Sequence, residues 1–439
     1  MSNQFQLLKQ IRFRPFFFTQ FLGAFNDNTF KTALVTLVAF HASSITTIDG
    51  SLLATLLPGL FILPFFLFSA IAGQIADKYE KSKLIRLVKV FEIAIMLFAS
   101  LGFYLHSLAL LATALFMMGM HSTVFGPVKY AYLPQHLSKQ ELIGGNGMVE
   151  MGSFVAILLG QVLGASLGGL EHHELWASVV ILCIAVLGFA SSRGVPHSPA
   201  ADSTLTIHWN PVTQTIKSIN MIWQQQAIWL AILAISWFWF FGATLLAQFP
   251  NFAKTILYGD ESVFILLLSV FSIGIGIGSL LCENLAKGRL ELGLVVFGAL
   301  GLSLFAADLY LASAHLSAAT FALQNYQQFL QAWPHWRILL DILLIGVFGG
   351  FYIVPLYVLI QTRVDQQVQS RIIAANNIMN ALLMVVSAGV SVALFKLGYS
   401  IPQLFLITAL LNVLVVAYLC WRQPEYPHAF TAWIKRLAQ

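Results

Sequence analysis

Charged residues are scarce in this chain. Only 9% of its 439 residues are Asp, Glu, Lys or Arg, whereas 58% are hydrophobic. A soluble globular protein usually carries about 25% charged residues, so this composition excludes a water-soluble domain of this length. The sequence therefore predicts an integral membrane protein.

Cysteines and catalytic motifs are equally sparse. The three cysteines lie in or beside apolar segments, and no two have the spacing of a metal or redox site. No phosphate-binding glycine loop is present, which argues against direct ATP coupling. Four histidines lack the aspartate five residues later that an acyltransferase box requires; they are His121, His136, His172 and His173. We expect no catalytic residue, metal or cofactor.

The first long apolar segment runs from Pro15 to Phe40. At about 1.5 Å per residue it spans roughly 39 Å as a helix, which is enough to cross the ~30 Å hydrocarbon core of a bilayer. The segment is too long for a signal peptide, carries charges near its middle and lacks a small-x-small cleavage site. We therefore expect it to remain in the membrane as the first spanning helix.

Two charged residues, Asp27 and Lys31, lie near the middle of that helix. An ionised side chain there costs about 2.5–3.5 kcal/mol, so it should be paired or should face a watery cavity. Because the two are four residues apart, a structural ion pair and a polar stripe on a substrate pathway both remain open. In the third span, Lys89 and Glu92 predict a local ion pair. The predicted stripe on the first helix consists of Gln20, Gly23, Asp27 and Lys31.

Hydropathy predicts twelve spanning helices, an even number that places both termini on one side. If that side is the cytoplasm, the cytoplasmic segments and span ends hold all 23 Lys and Arg residues except Lys31, Lys254, Arg337 and Lys396. This bias predicts that both termini are cytoplasmic. The predicted spans are 15–40, 51–72, 84–105, 108–128, 144–170, 174–192, 227–252, 262–282, 290–313, 337–360, 372–397 and 401–421.

A polar connection from Arg193 to about Gln226 separates the sixth span from the seventh. It predicts an N-terminal six-helix bundle over 1–192, a cytoplasmic linker over 193–226, and a C-terminal six-helix bundle with a short tail over 227–439. Similar short motifs recur about 230 residues apart, at Asn146 in span five and Asn376 in span eleven. A parallel six-plus-six repeat of this kind is known from secondary transporters.

The loop after span two reads Gly73-Gln-Ile-Ala-Asp77-Lys78-Tyr79-Glu80-Lys81-Ser82-Lys83. It resembles the signature loop of the major facilitator superfamily, Gly-x-x-x-Asp-Arg/Lys-x-Gly-Arg-Arg/Lys, with Glu80 in place of the second glycine. Gly73 allows two helices to approach closely, and Asp77 suits a helix N-terminus or an ion pair across the loop. A degraded copy follows in the second half, with Gly278 followed by Glu283, Lys287, Gly288 and Arg289.

This resemblance implies an all-α polytopic membrane protein with twelve transmembrane helices in two six-helix bundles. It also implies that Gly73, Asp77 and Lys78 form a loop that responds to conformational change.

Further polar residues lie inside the other predicted spans. Asn146 and Glu150 fall at helical spacing on span five and are candidates for a substrate pathway, with a solvated glutamate at the membrane interface as the alternative for Glu150. Arg337 and Asp341 lie toward the outer end of span ten, four residues apart. They predict a gate-like pair, with ordinary interfacial anchoring as the alternative.

Four stretches together resemble a narrower family, the bacterial lysophospholipid transporters. They are Gln20-Phe-Leu-Gly-Ala-Phe-Asn-Asp-Asn28, Gly73-Gln-Ile-Ala-Asp77, Gly126-Pro-Val-Lys-Tyr130, and Asn146-Gly-Met148 through Ile157-Leu-Leu-Gly160. The resemblance is clear from about Gln20 to Gly169. Beyond that it is thinner and depends on the span pattern and on Ser236-Trp-Phe-Trp-Phe-Phe-Gly-Ala243. It implies substrate-binding roles for Asp27, Asn28 and Lys129.

Members of that family move lysophospholipids, above all lysophosphatidylethanolamine, from the outer to the inner leaflet of the bacterial inner membrane. The resemblance therefore implies a transporter and not an enzyme, located in the inner membrane as a multi-pass monomer in contact with membrane lipids and without nucleic acid. It further implies an acyltransferase/acyl-carrier-protein synthetase as functional partner, either on a separate chain or fused downstream in a longer one.

The chemistry of such a substrate suits these residues. Asp27 would accept from an ammonium, Lys31 and Lys129 would meet the phosphate, and Trp239 with its aromatic neighbours would flank the acyl chain. Snorkelling of Lys129 to the interface and a lipid-facing aromatic run are the alternatives. A drug or small-solute exporter of the same superfamily is the alternative function. The expected mechanism is alternating access, with its energy source open.

Overall fold

Helices make up the protein. The computed structural model describes residues 4–45, 50–168, 170, 172–313 and 323–437. A short 3-10 helix, Gln4–Lys9, comes first, and a π-helical turn, Phe252–Ile256, follows the eighth α-helix. The α-helices are α1 (Arg14–Ile45), α2 (Gly50–Lys78), α3 (Lys81–Tyr104), α4 (Leu108–His136), α5 (Leu142–Gly168), α6 (His173–Ser192), α7 (Pro211–Trp223), α8 (Gln226–Asn251), α9 (Glu261–Ala286), α10 (Gly293–Ser313), α11 (Tyr326–Gln331), α12 (Trp333–Arg363), α13 (Gln369–Lys396), α14 (Ile401–Arg422) and α15 (Glu425–Leu437).

All helices except α7, α11 and α15 are long, and each of these long helices occupies one of the predicted spans, so the all-α polytopic fold is confirmed. Ten of the helices in the described residues are long and apolar enough to cross a membrane. The long helices α1 and α3 are not among the ten, and both carry charged side chains in mid-helix, Asp27 and Lys31 in α1 and Lys89 and Glu92 in α3.

Two helices extend well past their predicted ends. Helix α4 continues beyond residue 128 to His136, and α2 continues beyond residue 72 to Lys78. Gly73 and Asp77 therefore lie in the last turns of a helix and not in a loop. In these extensions the side chains of Asp77 and Lys129 have hydrogen-bond partners on neighbouring helices, which hydropathy does not register.

Helix packing follows the same pattern in both halves. In the first half α1 packs on α5, α2 on α4, and α3 on α4 and α6; in the second half α9 packs on α12, α10 on α12 and α14, and α8 on α13. Between the halves α5 packs on α9, and α2 on α13. The domain bounds 1–192, 193–226 and 227–439 stay a prediction.

The halves meet closely at the end of the bundle that holds the chain termini. A Cβ built on Gly73 would lie 2.7 Å from Ala374 Cβ, and one built on Gly147 would lie 2.4 Å from the Ser279 carbonyl oxygen. Toward the opposite end, Gly59 of α2, Gly242 of α8 and Gly389 of α13 have nothing within 4 Å of such a Cβ. The two halves are therefore closed against each other at the terminal end, whereas these three glycines face open space.

Substitution of Gly278 tests the close packing of α9 on α12. A Cβ there would lie 2.0 Å from the Val347 carbonyl oxygen, a backbone atom that cannot move without shifting α12. Gly278→Ala should destabilise the fold by about 1–3 kcal/mol, although alanine is the better helix former. The melting temperature in detergent measures this. Gly389→Ala, with open space around it, is the matched control and should melt at or above the wild-type temperature; equal melting of the two variants would refute the packing account.

Candidate functional site

Asp27 and Lys31 are half-buried on α1. Ser122 of α4 donates through Oγ to Asp27 Oδ2 at 2.6 Å, and the buried Asp27 Oδ1 has no hydrogen-bond partner. Lys31 Nζ lies 5.4 Å from the centroid of the Phe61 ring on α2. The expected i,i+4 ion pair between Asp27 and Lys31 is absent, so that alternative was wrong. The two charges are separate groups.

Asn28 points elsewhere. Its Nδ2 donates to the Ala24 carbonyl oxygen of its own helix at 2.8 Å. A Cβ built on Gly160 of α5 would lie 2.8 Å from Asn28 Cβ. The structure therefore places Asn28 in the contact between α1 and α5 and does not bring it to the partners of Asp27.

Lys129 of α4 is half-buried and faces α5 and α1. Its Nζ donates to Ser153 Oγ at 2.9 Å, and that hydroxyl donates to Gln20 Oε1 at 3.0 Å. Lys129 is not in an ion pair within the described part of the chain. A chain of hydrogen bonds through α5 thus ties it to the polar stripe predicted on α1.

Glu150 lies at the junction of the two halves and is only 2% exposed. Its Oε1 accepts from the Tyr130 hydroxyl at 2.6 Å. The Tyr130 ring stacks on the Tyr357 ring of α12 with centroids 4.1 Å apart. The alternative of a solvated interfacial glutamate was therefore wrong.

Asn146 joins α5 to α12. Its Nδ2 donates to Gln361 Oε1 at 2.6 Å, and Gln361 Nε2 donates to Asn146 Oδ1 and to the Tyr130 carbonyl oxygen, both at 3.1 Å. All three residues are buried. Such a reciprocal amide pair holds two helices in one register, so Asn146 belongs to the closed end of the bundle and is not beside Asp27.

The aromatic run on α8 faces the protein. Trp237, Phe238, Phe240 and Phe241 are buried, and Trp237 Nε1 donates to Asn412 Oδ1 at 2.8 Å. The alternative of a lipid-facing run was therefore wrong for these four. Trp239 is half-buried and packs edge-on against Phe238, with no partner for its buried Nε1.

Asp77 closes the terminal end by capping a helix of the other half. It is fully buried, and its carboxylate accepts from the Ser370 backbone N–H and from Arg371 Nε, each at 3.0 Å. These groups belong to the first turn of α13, where free N–H groups and the helix dipole favour an anion. Lys78 lies outside this contact, with Nζ 5.9 Å from the Tyr79 ring centroid.

The degraded second copy occupies the matching place. Glu283, near the end of α9, lies against the start of α5, where a Cβ on Gly144 would be 2.0 Å from its Oε2. Gln4 Nε2 donates nearby to the Leu280 carbonyl oxygen at 2.8 Å. Each half therefore presents an acid to the first turn of a helix in the other half.

Arg337 and Asp341 do not form the predicted gate-like pair. Arg337 is exposed and binds Asp308 of α10, with Nε donating to Oδ2 at 3.0 Å. Asp341 is buried beside them, and its Oδ2 has no hydrogen-bond partner. The prediction was wrong because helix spacing alone does not show that α10 brings a nearer carboxylate.

A hydrogen-bonded pair outside the spans fixes the start of α1. Arg12 Nη1 donates to Glu141 Oε2 at 3.0 Å, and these bonds lower the pKa of the Glu141 carboxyl to about 2. A carboxyl with a lowered pKa stabilises the fold fully above its unfolded pKa of 4.5 and loses that contribution as the pH falls through about 2.

A buried cluster beside Asp27 was only partly foreseen. The predicted Lys89–Glu92 pair is confirmed, with Nζ 2.6 Å from Oε2 and both side chains fully buried. Asn26 Nδ2 donates to Glu92 Oε1 at 2.7 Å, and His121 Nε2 lies 3.3 Å from Glu92 Oε2. The sequence signal for His121 was a lone histidine in an apolar span, one residue before Ser122.

One pair does have the acyltransferase spacing, His197 and Asp202 in the linker. Asp202 Oδ1 accepts from the Thr204 hydroxyl at 2.8 Å and from its N–H at 3.2 Å, which is a local turn. His197 lines a separate cavity of 530 Å³ with Gln135 and Asp365. The spacing alone therefore does not assemble a catalytic pair.

Comparisons with known proteins agree with this fold. The family model described as Major Facilitator Superfamily matches residues 16–388. Relatives named Lysophospholipid transporter LplT, from Yersinia pestis strain Pestoides F and Yersinia pseudotuberculosis serotype O:3 strain YPIII, are 26% identical over 392 residues, 86% of this chain and 86% of theirs. The resemblance seen in the sequence is confirmed.

Solved structures show the same architecture. The human organic anion transporter MFSD10 (TETRAN) matches with a TM-score of 0.72 and 14% identity, covering 92% of this chain and 99% of that one. The E. coli fucose:proton symporter FucP matches with a TM-score of 0.67 and 14% identity, covering 93% and 98%. At this identity the likeness concerns the fold alone.

Asp77→Asn tests the cap between the halves. The variant keeps the shape but removes the charge that binds Arg371 and the start of α13. Loss of a charge-assisted hydrogen bond costs about 1.5–3 kcal/mol, so amide hydrogen exchange in the first turns of α13 should accelerate about tenfold or more. Asp260→Asn, which alters the N-cap of α9 at the other end, is the control and should leave α13 unchanged. Unaltered exchange in α13 of Asp77→Asn would show that the cap does not hold the halves together.

Proposed function

This chain belongs to the Major Facilitator Superfamily, and from that premise we propose that it is a secondary transporter of lysophospholipids, above all lysophosphatidylethanolamine. It moves them by alternating access from the outer to the inner leaflet of a bacterial inner membrane. Membership of this family supports a transporter over a membrane-embedded enzyme such as an acyltransferase.

One observation carries the proposal: three charged side chains inside the helix bundle are without an ion-pair partner among the described residues. They are the carboxylate of Asp27 and the ammonium groups of Lys31 and Lys129, and all three side chains are half-buried. Unpaired charge at membrane depth is costly unless a ligand or water completes it. A zwitterionic headgroup would complete it, with its ammonium on Asp27 and its phosphate on a lysine.

Apolar surface for the acyl chain is available on α2 and α13, which pack on each other across the two halves. On α2, Leu63 and Leu67 are exposed, and on α13 Leu382 and Val385 are exposed. The two helices touch near the terminal end, at Gly73 and Ala374, and the space around Gly59 and Gly389 is open. A lysolipid with one tail would place its headgroup between the halves and its tail along this surface.

The product of the proposed transport is the substrate of the proposed functional partner. Delivered lysophospholipid needs a second acyl chain, so an acyltransferase/acyl-carrier-protein synthetase would consume the product. Cytoplasmic termini are part of the same proposal and are supported by the charge bias of the sequence. A monomeric state is proposed with them.

Uptake by proteoliposomes tests the function. Labelled lysophosphatidylethanolamine in the outer leaflet should become resistant to albumin extraction at a rate above that of protein-free vesicles. Lys129→Gln and Asp27→Asn should each slow this rate about tenfold or more, since each removes one charge-assisted hydrogen bond worth about 1.5–3 kcal/mol.

Lys254→Gln is the matched control, because Lys254 is an exposed lysine outside the site, and it should retain the wild-type rate. Runs with and without proton and sodium gradients identify the energy source. Protein-dependent transport of small cationic solutes without any movement of lysolipid would replace this proposal with the exporter alternative.

A further inference from the structure

A buried cluster of titratable groups lies directly behind Asp27, between α1, α3 and α4. Its centre is Glu92, whose carboxylate binds Lys89 Nζ at 2.6 Å and accepts from Asn26 Nδ2 at 2.7 Å. His121 completes it, with Nε2 at 3.3 Å from Glu92 Oε2 and the residue only 2% exposed. The function proposed above makes no use of these residues.

The ammonium of Lys89 is closely surrounded by two glycines and an aromatic ring. A Cβ on Gly23 of α1 would lie 2.6 Å from Nζ, and one on Gly188 of α6 would lie 3.4 Å from it. The Phe125 ring lies on another side, with its centroid 5.6 Å from Nζ. Lys89 and Glu92 are therefore a fixed, mutually neutralised pair, and neither is free to change partners.

His121 and Asp27 hold the remaining charge. The residue after His121, Ser122, donates to Asp27 Oδ2 at 2.6 Å. The residue before Asp27, Asn26, donates to Glu92 at 2.7 Å, so Asp27 lies beside the cluster. With His121 neutral, Asp27 gives the cluster one net negative charge. With His121 protonated, the cluster is neutral. Within a low-dielectric bundle the neutral state is strongly favoured, and an ammonium bound at Asp27 would neutralise the cluster equally well.

We propose that His121 is a proton-binding residue that sets which headgroup the site accepts. With His121 neutral, Asp27 binds a headgroup that carries an ammonium. With His121 protonated, Asp27 is already compensated, and the site favours a headgroup that is purely anionic and is bound by Lys31 and Lys129. When an ammonium-bearing headgroup binds the protonated protein, the imidazolium gives its proton to water, so that one cation replaces another.

This inference deepens the proposed function and rests on it. The charged or titratable groups that face His121 are few. From α1 they are Asp27 and, one turn on, Lys31; from α3 they are Lys89 and Glu92. Helix α2 has no titratable residue between Leu56 and Gln74, and α13 has none between Ile372 and Phe395. No other titratable residue of these helices competes for the role.

Binding of two lysolipids at different pH tests the proposal. The full chain in nanodiscs is titrated with lysophosphatidylethanolamine and with lysophosphatidylglycerol between about pH 5 and pH 8, the range in which histidine changes charge. The preference for the ethanolamine lipid should rise with pH by up to tenfold per unit, the slope for one exchanged proton. In His121→Gln the preference should not change with pH. His428→Gln, an exposed histidine outside the spans, is the control and should keep the wild-type slope.

The inference would be overturned if the lipid preference of His121→Gln changed with pH as in the wild type. It would also be overturned if the preference of the wild-type protein did not change with pH. A second measurement, by NMR, uses no lysolipid and does not depend on lipid binding by a His121 variant. His121→Gln serves only to assign the His121 signal. In the imidazole NMR spectrum, the histidine signal that is missing from His121→Gln should titrate at lower pH in Asp27→Asn, because a neighbouring negative charge is gone. If neither lysolipid binds but this signal moves, the proton site stands and the proposed substrate fails. If the signal does not move, the proton site fails whatever the lipid data show.

Discussion

The structure depends on one constraint, the free-energy cost of placing a charged side chain at membrane depth. The bundle holds Lys89, Glu92, Asp27 and Lys31 at membrane depth, and among the described residues it provides an opposite charge for only the first two. Lys89 and Glu92 neutralise each other in a sealed contact. Asp27 and Lys31, on the neighbouring helix, are half-buried and paired with no charge of the described chain. The difference between the two pairs separates what holds the helices together from what is left for a ligand.

The same constraint explains how the halves close at the terminal end. An acid in a membrane protein is least costly at a helix N-terminus, where unpaired N–H groups and the dipole supply the compensation. Asp77 caps α13, and Glu283 lies against the start of α5. Asp77 thus belongs to one half and its compensation to the other, so separation of the halves exposes this acid and the helix end together.

Sequence patterns predicted the fold well and the site in part. Hydropathy depends on each segment alone, and it located every long helix because spanning a bilayer is a local requirement. Pairing of Lys89 with Glu92 was predictable for the same reason, since both lie on one turn of one helix. In contrast, Arg337 binds Asp308 on another helix, and Glu150 accepts a hydrogen bond from Tyr130 on another helix. Such partners depend on which helices pack together, which spacing along one helix does not encode.

Tyr130 links Lys129 of the candidate site to the contacts that close the terminal end. It is the neighbour of Lys129, its hydroxyl binds Glu150, and its carbonyl oxygen accepts from Gln361 of the other half. A neutral hydrogen bond contributes about 0.5–1.5 kcal/mol net, so the few bonds at this junction amount to a few kcal/mol. A ligand shifts a conformational equilibrium only by its difference in affinity for the two states. If the proposed substrate binds with its phosphate on Lys129, that phosphate would lie one residue from the junction, and its binding energy would be comparable to the energy of these contacts.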